Sequence, residues 1–378
     1  MNIPFNKPYM TGKELEHIQD AYERRHISGD GKFTKLCHRW LEHKFKCGKA
    51  LLTHSGTAAL EMAAMLLDIR KGDEVIMPSY TFPSTANAFV LRGANIVFVD
   101  IKPETLNIDE GKIEKAVTHR TRAIVPVHYA GIICEMDKIN AIAKKSGFSV
   151  IEDAAHAFLS KRSGRYAGTL SDIGCFSFHE TKNISCGEGG ALLLNTPGFA
   201  ERAEIIRDKG TDRSKFFRGE VDKYSWIDVG SSYLPSDINA AVLYGQMSKA
   251  DTITKRRISI CRKYYDQLRQ LNDEGYIELP SARYYEENNG HIFYFKVKNG
   301  NLRNALLDHL KRKGINAIFH YVPLHTSVAG GKYGRFSGKD EWTSAESKRL
   351  IRLPVFYELS GKDIAYITNG IYDFYHKL

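Results

Sequence analysis

The stretch Phe176-Ser177-Phe178-His179-Glu180-Thr181-Lys182-Asn183, running into Gly187-Glu188-Gly189-Gly190, decides how the chain is read. A short apolar strand, Gly174 to Phe178, ends in polar residues that carry one lysine, and a glycine-rich turn follows. A lysine at the mouth of a sheet can lose its hydration, which lowers its pKa and makes its amine a nucleophile toward carbonyls. Most lysines are solvated surface charges, so the residue type alone decides little. Upstream, Ser149 to Glu152 reads as another strand, whose end delivers the carboxylate of Asp153 within Ile151-Glu152-Asp153-Ala154-Ala155-His156. A lysine to form an imine and an aspartate to hold a pyridinium nitrogen are the two groups a pyridoxal phosphate (PLP) site needs.

Outward from this pair, short apolar runs alternate with helical segments from about Ala50 to Asn195. The runs are Ala50–Thr53, Glu74–Met77, Asn95–Asp100, Arg122–Val127, Ser149–Glu152, Gly174–Phe178 and Gly190–Leu194. Near-continuous apolar strands between helices predict an α/β fold with a mostly parallel, seven-stranded sheet covered on both faces. Ligands collect at the carboxyl ends of such strands, where Asp153 and Lys182 fall. No GxGxxG follows the first strand, so a dinucleotide site is a poor reading.

Thr11-Gly12-Lys13-Glu14 reads as a capping box opening a helix to about Arg25, and a second helix is expected from Phe33 to Phe45. One long helix from Asp237 to about Leu271 is expected to join a large domain, residues 1–250, to a smaller α+β domain, residues 251–378. Within the latter, Ile277–Pro280, His291–Val297 and Ile315–Phe319 read as strands, and Asn301–Lys313 as an amphipathic helix.

The 378 residues are 43% hydrophobic, enough for both domains. No apolar run of about eighteen residues and no signal-like N-terminus is visible, so the expectation is a soluble, cytoplasmic protein without a membrane partner. Six scattered cysteines lack paired CxxC spacing, which predicts free buried thiols and no metal site. The formal charge of +10 comes without any nucleic-acid-binding signature. An anionic cofactor and an anionic substrate would favour a positive site equally well, and no nucleic-acid partner is expected.

Ser55-Gly56-Thr57 follows the first strand and opens a helix; it is either a phosphate cradle or an ordinary N-cap. Phe82, ending the second strand, is either core or an aromatic wall of the site. Asp153 suits a helix N-cap as well as a pyridinium partner, and His156 read alone is structural.

Asp153-Ala-Ala-His156, Ser177-Phe-His-Glu-Thr-Lys182-Asn183 and Gly187-Glu-Gly-Gly190 resemble the sugar aminotransferases of the DegT/DnrJ/EryC1/StrS family. The resemblance runs from Pro4-Phe5-Asn6-Lys7-Pro8 to Leu353-Pro354 and implies PLP-dependent aminotransferase fold type I. It implies that Lys182 is the catalytic lysine that binds PLP covalently, and that Gly56, Thr57 and Ser177 hold its phosphate. It implies too that Phe82 lies on the ring, Asp153 pairs with the ring nitrogen and His156 meets the ring hydroxyl. A histidine at the lysine position marks related dehydratases, so Lys182 argues for amination. The family's Gly-x-Asn-x-Arg segment, which reaches the phosphate across a dimer interface, reads Gly230-Ser-Ser-Tyr-Leu234 here, with Ser232 at the asparagine position. That departure, with Phe216-Phe-Arg-Gly-Glu-Val-Asp-Lys-Tyr-Ser-Trp226 before it, resembles the branch making dTDP-4-amino-4,6-dideoxygalactose. Tyr321 and His325, in His320-Tyr-Val-Pro-Leu-His325, fall where the family contacts the sugar nucleotide. The implied partners are L-glutamate as amino donor, dTDP-4-dehydro-6-deoxy-D-glucose as acceptor and a second copy of the chain. Two alternatives stay open: another amino sugar as product, with an equatorial C4 or a C3 amine, and a PLP-binding regulator without catalysis.

Overall fold

The computed structural model describes residues 2–281 and 287–377. Seven strands form where the apolar runs lie. They are β1 (Lys49–Thr53), β2 (Glu74–Pro78), β3 (Asn95–Val99), β4 (Thr121–Ile124), β5 (Ser149–Asp153), β8 (Ile173–Ser177) and β9 (Gly190–Leu194). Between β5 and β8, β6 (Lys161–Arg162) and β7 (Arg165–Tyr166) make a separate two-stranded ribbon. The C-terminal part adds β10 (Ile277–Glu278), β11 (Phe293–Val297), β12 (Gly334–Phe336) and β13 (Leu350–Leu353).

The main sheet has eight strands rather than the seven expected, in the order β1-β9-β8-β5-β4-β2-β3-β12. The eighth, β12, joins β3 in parallel. Its first residue is a glycine because a Cβ there would lie 2.7 Å from the Phe98 ring and 2.8 Å from the Ile96 carbonyl oxygen. Only β9 runs against its neighbours β1 and β8; every other pair is parallel. Both faces are buried, with alternate residues feeding separate cores. Leu52, Ile76, Val97 and Leu193 enter one core, while Leu51, Val75, Ile96 and Leu192 enter the other. This is why the strands read as continuous apolar runs.

The single helix expected from Asp237 to Leu271 is two helices, Asp237–Met247 and Ala250–Asp273. The break falls at Ser248-Lys249, where Lys249 leaves helical geometry (φ −116°, ψ 10°). The second helix starts in the large-domain core at Ala250 and Ile253 and ends in the small-domain core at Ile260, Tyr264 and Leu268. In the small domain, β10, β11 and β13 form an antiparallel sheet. The strand expected at Ile315–Phe319 is reduced to two isolated bridges, Ile3 to Ile315 and Ile318 to Arg352. Ile3 thus packs into the small-domain core although it stands near the start of the chain. The helix expected from Thr11 starts at Glu14, whose carboxylate accepts the N–H groups of Thr11 (2.8 Å) and Gly12 (2.9 Å). All six cysteines are free, and five are buried. Among the described residues, no helix is long and apolar enough to cross a membrane, and no cluster of three metal-binding side chains occurs.

Candidate active site

A cavity of about 680 Å³ opens where the carboxyl ends of β1, β2, β5 and β8 face the small domain. The chain after β1 turns at Ser55, whose hydroxyl caps the helix Gly56–Leu66 by accepting the Ala58 N–H at 3.1 Å. The first N–H groups of such a helix have no partner in the helix, and its dipole favours an anion. Gly56 is required by close approach: a Cβ there would sit 2.9 Å from Ser177 Cβ. Thr57 Oγ1 lies 2.7 Å from Ser84 Oγ, and Gly56, Thr57 and Ser177 all line the cavity. At the end of β2, Phe82 precedes the proline of the helix Pro83–Val90 and is 56% exposed, so its ring face is open at the cavity.

Asp153 ends β5 and is 5% exposed. Its Oδ2 accepts the Thr85 hydroxyl at 2.7 Å and its Oδ1 accepts the Ala155 N–H at 3.1 Å. Thr85 Oγ1 is in turn 2.8 Å from Thr81 Oγ1. Two fixed donors aim the carboxylate.

Lys182 sits in the β8–β9 connection, whose backbone is laced by Phe178 N–H to Gly189 O (2.8 Å), Cys186 N–H to Phe178 O (3.0 Å) and Lys182 N–H to His179 O (2.9 Å). Burial lowers its pKa to about 8, against an upward pull from Asp153 and with a further downward push from Arg352. A lysine poised there is neutral far more often than a solvated one. Burial also holds His156, His291 and His320 well below the ordinary imidazole pKa, with Lys182 and Arg352 adding to the effect. These rings are neutral. The Tyr321 hydroxyl lies 3.0 Å from His156 Nε2, while His156 Nδ1 is buried without a partner. With the tyrosine donating to Nε2, the neutral ring carries its proton on Nδ1.

The far wall belongs to the C-terminal part: Phe319, His320, Tyr321 and Arg352. The His320 and Tyr321 rings stack at 3.6 Å, and His320 Nδ1 lies 2.7 Å from the Tyr129 hydroxyl. The structure therefore brings Gly56, Thr57, Phe82, Asp153, His156, Ser177, Lys182 and Tyr321 to one cavity. Ser232 and His325 are not among its lining residues. Ser232 is exposed and bridges Asp208. His325 is engaged elsewhere, with Nδ1 2.6 Å from Ser79 Oγ and Nε2 3.1 Å from Asp340.

Thr85, His320 and Arg352 were not anticipated. Thr85 carries no signal of its own, since its role depends on where the helix Pro83–Val90 packs. Arg352 had one: a lone charge inside the apolar run Leu350-Ile-Arg-Leu-Pro354.

A desolvated lysine, an aimed aspartate, a helix N-terminus and an unpartnered histidine nitrogen fit the four polar parts of PLP: aldehyde, ring nitrogen, phosphate and ring hydroxyl. Fold and site together define a PLP-dependent aminotransferase of fold type I. The chain belongs to the DegT/DnrJ/EryC1/StrS aminotransferase family, whose model matches residues 8–372. An uncharacterized protein of Methanocaldococcus jannaschii is 34% identical over 98% of this chain and 96% of its own length. Among solved structures, the aminotransferase TlmJ from Streptoalloteichus hindustanus is 25% identical, with TM-score 0.89 over 99% of both chains. Spr1654 from Streptococcus pneumoniae, a candidate sugar aminotransferase solved in PMP and PLP forms, is 26% identical. Its PMP form has TM-score 0.89 over 100% of this chain and 98% of that one.

Proposed function

We propose that this protein transfers the amino group of L-glutamate to C4 of dTDP-4-dehydro-6-deoxy-D-glucose, giving dTDP-4-amino-4,6-dideoxy-D-galactose. The observation that carries the reading is the amine of Lys182, with its pKa lowered to about 8, in the same cavity as Asp153 and the Gly56-Thr57 helix terminus. The cavity volume of about 680 Å³ is in the range that admits a bulky ligand. The choice of a sugar nucleotide rests on the motifs around Ser177–Lys182 and Phe216–Ser232.

Bound PLP supplies the aldehyde that receives the amine and the electron sink that makes the donor's Cα proton removable. Gly56, Thr57 and Ser177 hold its phosphate, Asp153 keeps its ring nitrogen protonated, His156 Nδ1 donates to its ring oxygen, and Phe82 covers a ring face. Lys182 Nζ accepts the proton from the amino acid's Cα in the first half-reaction. In the second it returns a proton to C4 of the sugar. The face it works from fixes whether the new amine is axial or equatorial. Tyr321 remains the proposed sugar-side residue, while His325, tied to Ser79 and Asp340 outside the cavity lining, is proposed to hold the loop that carries Tyr321.

The protein is read as a cytoplasmic homodimer, in which Ser232 reaches the partner's phosphate site. Support comes from the apolar residues exposed along the same segment, Phe217, Trp226, Ile227 and Val229, with Trp226 79% exposed. Sedimentation velocity on the purified protein checks the dimer, and a monomer at micromolar concentration overturns it. Proton couplings at C4 of the product, read by NMR after incubation with L-glutamate and the keto sugar nucleotide, test the reaction. An axial amine is expected, and an equatorial amine overturns the galacto assignment.

A further inference from the structure

Asn183 follows Lys182 in the chain, is 7% exposed, and has no part in the site described above. Its side chain crosses from the β8–β9 connection to the small domain, where it meets the residues just before β11, Asn288-Asn289-Gly290-His291. Asn183 Nδ2 donates to the Asn289 carbonyl at 2.9 Å, and Asn183 Oδ1 lies 2.9 Å from His291 Nδ1. A backbone carbonyl only accepts, so the first contact fixes which way the amide points. Its oxygen therefore faces His291, and that ring, kept neutral by burial, carries its proton on Nδ1. The receiving segment is itself held. Arg257, buried, donates to the carbonyls of Gly290 at 3.1 Å and His291 at 2.9 Å, and Asn289 Oδ1 accepts the His291 N–H at 3.0 Å. Gly290 takes a φ of +61°, and a Cβ there would lie 2.6 Å from the Arg257 backbone.

The same segment also reaches His156. Asn289 Nδ2 donates to the carbonyls of His156 and Phe158, both at 2.9 Å. One small-domain turn thus holds the backbone of His156 and the side chain next to Lys182, while the large domain holds the lysine through its N–H to His179. On the reading above, Lys182 meets the cofactor's aldehyde and His156 its ring hydroxyl, and these two groups are neighbours on the ring. Each of these buried hydrogen bonds adds little net stability, since it replaces one to water, but together they fix distances. We infer that Asn183 and His291 are positioning residues, through which the small domain sets where the Lys182 amine stands. This rests on the aminotransferase reading above.

The test separates capture of the cofactor by Lys182 from occupancy of the rest of the site. Capture joins the Lys182 nitrogen to the PLP aldehyde carbon and releases one water. Its rate is read from the cofactor absorbance after PLP is mixed with the full chain freed of cofactor. Pyridoxamine 5′-phosphate has no aldehyde, so its Kd, from calorimetric titration of the same protein, reports the remaining contacts. In Asn183→Ala and His291→Leu the capture rate is expected to fall about 10- to 100-fold, the scale of a reacting group misplaced by about an ångström. The Kd for pyridoxamine 5′-phosphate should stay within about threefold. His291→Asn offers an amide N–H near the place of the Nδ1–H and should recover most of the rate. Should Asn183→Ala fail to fold, the two His291 variants carry the comparison. An unchanged capture rate in Asn183→Ala or His291→Leu overturns the inference and leaves the aminotransferase reading intact. So does a slower capture matched by an equal loss of affinity for pyridoxamine 5′-phosphate, the mark of a loosened fold. If the unaltered protein neither captures PLP nor binds pyridoxamine 5′-phosphate, the underlying reading falls and the inference with it.

Discussion

On the large-domain wall of the cavity, Asp153 has a partner for each oxygen, its donor Thr85 is itself held by Thr81, and Thr57 is paired with Ser84. Across from it, on β13, Arg352 Nε bonds nothing, and at the seam between the walls His156 Nδ1 is equally unpartnered. The first wall is built from strand ends and a helix start, elements whose places are fixed by the sheet. The second is built from a loop and one strand of a small sheet on another core. A wall that satisfies itself is preorganised for a ligand that never changes. A wall with polar atoms left over is completed by the ligand, and there one fold can take different substrates.

The largest effect that would sharpen this contrast is Lys182→Ala. Amine transfer should fall by about 10⁴-fold or more with the fold retained, measured by steady-state turnover and circular dichroism. Next, Asp153→Asn keeps the shape of the first wall and removes its charge, and kcat should drop by about 10²- to 10³-fold. The same change has a signed consequence for pH. Asp153 pulls the Lys182 pKa up, so without it the lysine titrates below about 8. Because the neutral amine is the nucleophile, the rate at which cofactor-free protein takes up PLP should rise with pH and level off above about 8. In Asp153→Asn that midpoint should move to lower pH, and an upward move would break the electrostatic account.

Gly56→Ala comes third. Its Cβ would press on Ser177, and PLP affinity should weaken about tenfold by absorbance titration. Tyr321→Phe, at the seam, frees His156 Nε2 and should cost about three- to tenfold in kcat. His325→Ala should change kcat by less than about twofold. It should still lower the melting temperature by a few degrees, because the ties to Ser79 and Asp340 are lost. A strong loss of turnover in that variant would move His325 to the sugar side and redraw the second wall.

The first wall was legible in the sequence and the second largely was not. Strands buried on both faces leave continuous apolar runs, and residues at their ends inherit a location from the sheet, so Asp153, Lys182 and the Gly56-Thr57 turn could be placed by counting. β12 escaped because three residues starting at glycine carry no period, and it joins the sheet through a contact more than two hundred residues away. Ile315–Phe319 has a strand's composition but finds only single bridging partners, Ile3 and Arg352, at positions that no local pattern announces. The break at Ser248-Lys249 lies between two residues with ordinary helical tolerance, and Met247 and Ala250 on either side of it pack in the same large-domain core, so neither propensity nor the change of core announces it. Arg352 was readable only as an oddity, since the groups that surround it, Phe5 and Ile318, come from distant parts of the chain.

The bridge between Ile3 and Ile315 also governs the order of events during synthesis. Asn316 Nδ2 donates to the Ile3 carbonyl across 313 residues of sequence, and the Phe5 ring next to it covers Arg352. Ile3 and Phe5 must therefore wait, unpaired, while the main sheet of strands β1 to β9 is translated and can already fold around Asp153 and Lys182. The cavity is assembled from its chemical floor upward, and its substrate-facing rim closes only when the polypeptide beyond Arg352 has left the ribosome.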